Sequence, residues 1–225
     1  MLKILKIEII SLIFTLIVPA ASAQVLYRIS SNSTAAPSYI LATNKLMDMS
    51  FIDTIPNVFK CFSSCNKVIT EFAMQDYEAI AELRQAALLP DSIRLSNFFT
   101  AEQYEAINSA LLINLGMGLE QLGRMKPAYL TEMFRNELLK KWLDYNDERS
   151  METFFEAVAI QNNTPIYGLD NIKETMYMIF DREPFHWQCE ELYKIIEYPE
   201  KEVELERTLK NMYSYGRLTD MAYAV

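Results

Sequence analysis

The sequence predicts an α/β protein: a mixed central sheet that begins with a β-hairpin, is flanked by helices and carries a helical insert in its middle. Three observations lead there. Short apolar, alternating runs near the start read as strands. They are followed by long stretches with helical spacing. A further short apolar run, Pro165–Leu169, returns after the helices, and strands separated by helices point to a layered α/β arrangement.

Val25–Ser30 alternates apolar and polar residues and runs into the turn-rich Ser31-Asn32-Ser33-Thr34. Pro37–Thr43 resumes as strand, so the two are expected to pair as a hairpin. Asn57–Cys65 reads as a short helix and Lys67–Phe72 as a third strand. Ala73–Leu88 is helical, with Ile80, Leu83 and Ala87 at helical spacing, and Pro90-Asp91 breaks it.

The insert is mostly helix. Thr100 is a good N-cap, and Gln103 three residues on completes a capping box for a helix over Ala101–Leu115, which Gly116 ends. Pro127 opens the next, to Leu143. Ser150 caps a helix whose apolar face is Met151, Phe154, Phe155 and Val158. After the fourth strand, Ile172, Met176, Ile179 and Phe180 mark another amphipathic helix. Phe185 to Tyr215 reads as two helices parted near Tyr198-Pro199.

Residues 1–23 have the features of a secretory signal peptide. Lys3 and Lys6 give a positive start, Ile9–Val18 an apolar stretch and Ala21-Ser22-Ala23 a small-residue cleavage pattern. The uncharged run Ile9–Ala23 is 15 residues, short of the roughly 18–20 that span a bilayer. Cleavage after Ala23 would leave residues 24–225 as a single exported domain, periplasmic or secreted, with no membrane span. The chain of 225 residues has a net charge of −9, and losing Lys3, Lys6 and Glu8 makes it one unit more negative. Such a balance argues against nucleic acid and anionic membrane surfaces as partners and leaves an unknown protein or peptide.

Cys61, Cys65 and Cys189 are an odd set for an exported chain. Within one regular helical turn, Cys61 and Cys65 are expected to stack as thiols rather than bond. With His186 as the one histidine, they make a poor structural zinc site. His186 itself is expected at a helix start beside Trp187.

Polar groups gather at three expected strand ends. Asn44 and Lys45 follow the second strand, with Asp48 just beyond. Asp170 follows the fourth. Glu71 lies in the third, where alternation puts Val68, Thr70 and Phe72 on one face and Ile69 and Glu71 on the other. A carboxylate in an apolar strand needs a partner or loses solvation free energy. Glu71 is therefore open to two readings: a cap or ion-pair member, with Lys45 for instance, or a ligand or general base in a cleft at the strand tips.

In order, L-Y-R-I-S (Leu26–Ser30), Y-I-L-A-T-N-K-L-M-D (Tyr39–Asp48), K-V-I-T-E-F (Lys67–Phe72), Leu88–Tyr104, M-K-P-A-Y-L (Met125–Leu130) and Met151–Asp170 resemble the TraB/GumN family, which includes the Tiki metalloproteases. The resemblance covers about residues 25–220. It implies a metallopeptidase-like fold whose first hairpin ends in Gly-x-x-His, followed by a strand carrying a glutamate. The chain departs from that pattern at several points. Ala42 and Lys45 stand where the family has Gly and His, and Gly168-Leu169-Asp170 stands for Gly-Leu-Glu. Thr175 stands for a glutamine, and the family's closing Arg-Asn pair and second Gly-x-x-His strand are not found before Val225. Only Glu71 matches the expected site.

A hydrolytic metal site needs imidazoles or carboxylates around an open position, and the Lys45 ammonium repels a cation. The expected protein is therefore a C-terminally shortened, catalytically degenerate relative with a binding or interaction role. No cofactor is expected, and a divalent metal enters only if the degenerate reading fails. Lys45 is expected to pair with Glu71 or Asp170. The alternative is a hydrolase with altered chemistry, in which Lys45 works beside Glu71 and Asp48.

Overall fold

A computed structural model describes residues 25–32, 36–71, 77–169 and 172–224. The anticipated leader, Phe72 and Asp170 lie outside them.

β1 (Leu26–Ile29) and β2 (Ser38–Leu41) form an antiparallel hairpin in which Leu26 faces Leu41 and Tyr27 faces Ile40. A 3-10 helix (Met49–Thr54) and α1 (Val58–Ser63) lead to β3 (Val68–Thr70). β3 pairs in parallel with β4 (Ile166–Gly168), Val68 opposite Ile166. A parallel pair needs a long crossover, and the helical insert supplies it. That crossover runs through α2 (Tyr77–Ala86), α3 (Ala101–Leu115), α4 (Leu119–Leu122), α5 (Pro127–Leu143) and α6 (Met151–Gln161). α7 (Ile172–Phe180), α8 (Phe185–Glu197), α9 (Pro199–Ser214) and α10 (Leu218–Met221) close the chain.

The protein is thus mixed α/β, with an opening hairpin and flanking helices. Its described strands pair as two two-stranded sheets, β1–β2 and β3–β4. The local signals explain the helix ends. The Thr100 hydroxyl accepts from Gln103 N at 3.2 Å while the Gln103 side chain accepts from Thr100 N at 3.0 Å. Gly116 ends α3 at φ 71°, a left-handed cap. Pro199 opens α9 directly after α8, because a proline nitrogen has no hydrogen to donate to the preceding helix.

Two larger apolar cores follow, besides a small one of Ala87, Met176 and Phe180. Ile107 and Leu111 of α3, Leu130, Phe134 and Leu138 of α5, and Leu192 and Ile195 of α8 form a helical core. Val25, Met47, Ile52, Val58, Met151, Phe155 and Tyr213 form the second, beneath the hairpin. Fully burying side chains of this size contributes about 1.5–3 kcal/mol each. The second core ties the start of the chain to α6 and α9, and it underlies the site.

Candidate functional site

The turn after β2 is held by its own polar residues. Asn44 Oδ1 accepts from Leu46 N at 2.8 Å, and Asn44 O accepts from Met47 N at 3.0 Å, so Leu46 and Met47 fold back into the core. Asp48 Oδ1 accepts from Ser50 N at 2.9 Å and caps the 3-10 helix. That hydrogen bond, with the Arg149 guanidinium 3.7 Å away, holds the Asp48 carboxyl below its usual pKa.

A bridge between Asp48 and Ser150 brings the first turn of α6 beside this turn. Ser150 Oγ caps α6 by accepting from Thr153 N at 3.2 Å. The next residue but one, Glu152, then accepts a hydrogen bond from Thr43 Oγ1. The result is a cleft of about 460 Å³ between the hairpin, α1, β3 and α6. Leu41, Phe62, Val68 and Phe155 give it apolar walls. Glu71, Glu152, Glu156, Lys67 and Thr43 supply its polar groups, and Cys61 and Cys65 form part of one side.

The four expected site residues that the structure describes, Glu71, Lys45, Asn44 and Asp48, separate. Glu71 lines the cleft, but one residue beyond the end of β3 rather than within it, and it is exposed. The strand stops at Thr70 because its partner β4 is equally short, the last ladder bond running from Leu169 N to Thr70 O at 2.8 Å. Asn44 and Asp48 are spent on the turn and the cap, outside the cleft lining. Lys45 is half-buried in the turn, is not among the lining residues, and forms no ion pair with Glu71 among the described residues. Asp170, its other expected partner, lies outside the described residues. His186 sits exposed in the first turn of α8 against the Trp187 ring, as expected.

Glu152, Glu156 and Lys67 are the cleft residues that sequence reasoning missed. A signal for the glutamates existed. On α6 they flank the recognised apolar face, at positions one and five after Met151.

Among the described residues, no group of three or more His, Cys, Asp or Glu side chains is arranged to hold a metal ion. The turn that would offer an imidazole offers the Lys45 ammonium instead. Likewise among the described residues, no helix is long and apolar enough to cross a membrane.

A family model described as TraB/PrgY/gumN matches residues 25–224. No curated protein and no solved structure matches the chain.

Proposed function

Since this chain belongs to the TraB/PrgY/gumN family, we propose that it is an exported, catalytically degenerate member whose cleft serves a binding role. The observation that carries the reading is Lys45: an ammonium in the turn after β2, where the resemblance calls for an imidazole. A positive charge at that position opposes a divalent cation by electrostatic repulsion. The cleft has the volume of a ligand site, within the range of about 300–1,000 Å³. Its mixture of apolar walls with a few charged groups suits a side chain or terminus of a protein or peptide partner. The signal-like first 23 residues support a periplasmic or extracellular location.

Isothermal titration of the full chain with Zn²⁺ and Mn²⁺ tests the degenerate reading. The expected result is no stoichiometric binding. One-to-one binding that Glu71→Ala abolishes would overturn it. Peptide cleavage that Lys45→Ala abolishes without unfolding the chain would replace it with a lysine-dependent hydrolase. Export is checked by N-terminal sequencing of the protein from its producing cell, which should begin at Gln24.

A further inference from the structure

Two thiols form part of one cleft wall. Cys61 lies within α1, and Cys65 lies two residues past the helix's last residue, Ser63. Side chains four apart in a regular helix hold their Cβ atoms about 5–6 Å apart, farther than the roughly 3.5–4.5 Å of a disulfide. The chain does not continue as a regular helix through Cys65. Ser64 N donates to Cys61 O at 3.1 Å and Cys65 N to Phe62 O at 3.0 Å, the three-residue spacing of tighter winding. Asn66 is exposed, and strand pairing begins only at Val68, whose N donates to Pro165 O at 2.9 Å. The movement that closure needs therefore falls on residues 64–67, outside both the helix and the strand.

The Cys65 thiol is turned toward the backbone of Cys61. Cys65 Sγ lies 3.4 Å from Cys61 O, pointing back along the helix rather than out to solvent. Burial, and then the neighbouring Cys61 thiol, push the Cys65 pKa up. Both are free and half-buried, whereas Cys189 is buried on α8.

We propose that Cys61 and Cys65 are a dithiol modification site in the cleft wall, which takes small disulfides and closes to an intramolecular disulfide. In the first step the Cys61 thiolate attacks one sulfur of a small disulfide, expelling one thiolate and leaving a mixed disulfide on Cys61. The Cys65 thiolate then attacks the Cys61 sulfur and expels the second. The protein loses two electrons and two protons, and the small disulfide leaves as two thiols. Because Cys61, Phe62, Cys65, Lys67 and Val68 all line the cleft, closure reshapes its wall. The inference is independent of what the cleft binds.

The test uses the reduced full chain and glutathione disulfide, followed by alkylation, digestion and mass analysis. The expected product is a peptide spanning Cys61 and Cys65 that is two hydrogens lighter, with Cys189 still alkylated, so that free thiols fall from three to one. Cys65→Ser should accumulate the mixed disulfide on Cys61, and Cys189→Ser should leave the wild-type outcome unchanged. Alkylation of both Cys61 and Cys65, or mixed disulfides on both with no lighter peptide, would overturn the proposal.

Discussion

The Tyr213 hydroxyl donates to the Ala42 carbonyl at 2.7 Å, joining α9 to the residue that opens the turn after β2 across 171 positions of sequence. Tyr213 is 1% exposed, packs its ring on Phe51, and also lies 3.6 Å from Met151 Sδ. One side chain thereby holds the hairpin end, the 3-10 helix and the start of α6 in register.

Tyr213→Phe should keep the packing and lose the hydrogen bond. It should lower unfolding free energy by about 1–2 kcal/mol, because the Ala42 carbonyl is left without its donor. Urea denaturation measures this. Burial, and then the Glu152 charge, raise the Tyr213 pKa in the folded protein. The unfolded tyrosine ionises first, near pH 10, so the stabilisation is complete below that pH and is lost as pH rises toward the folded value. Tyr213→Phe should remove this alkaline slope.

Asp48 acts in the opposite pH direction. Its carboxyl is held low, chiefly by the Ser50 backbone N–H. Its contribution is present above the unfolded value of about 3.9 and is lost as pH falls through the folded value. Asp48→Asn retains a capping acceptor and should flatten the acid side of the stability profile. Asp48→Ala also removes the cap and should cost about 1 kcal/mol at neutral pH. Denaturant midpoints from pH 2 to 7 separate the two variants.

Lys45→Ala should change stability by no more than about 0.5 kcal/mol, as for a side chain that forms no ion pair among the described residues. Thermal unfolding checks it. A loss several times larger would mean that Lys45 is a structural counter-charge, which would remove the basis for reading its ammonium as a block to cation binding.

Gly116→Ala should cost about 1 kcal/mol or more, since Gly116 sits at φ 71° and a side chain there is strained. An added Cβ would meet no heavy atom within 4 Å, so the loss reflects the backbone rather than a clash. Gly116→Asn should lose less, because asparagine tolerates the left-handed conformation.

The helices were legible because their signals are local. Thr100 with Gln103, Gly116, Pro127 and Ser150 each act within a few residues, and the helices they bound fall where those residues predict. The extent of β3 was not legible. Alternation carries on through Glu71, but a strand is defined by its partner, and the three residues of β4 end the ladder at Thr70. The helical reading of Cys65 failed for a related reason: α1 ends at Ser63, where no proline or glycine marks the stop.

By itself, the sequence determined the α/β class, the opening hairpin, the capped helices of the insert and the family, since each rests on periodicity, end signals or motif order carried within the chain. Tertiary structure alone decided which polar groups share a cleft. Thr43, Glu71, Glu152 and Glu156 meet because the Asp48–Ser150 bridge and the buried Tyr213 bring distant segments together. Asn44 and Asp48 drop out because backbone N–H groups in their own turn claim them first. Spacing along a chain cannot encode such competition; it is settled by which partner lies closest once the core has closed.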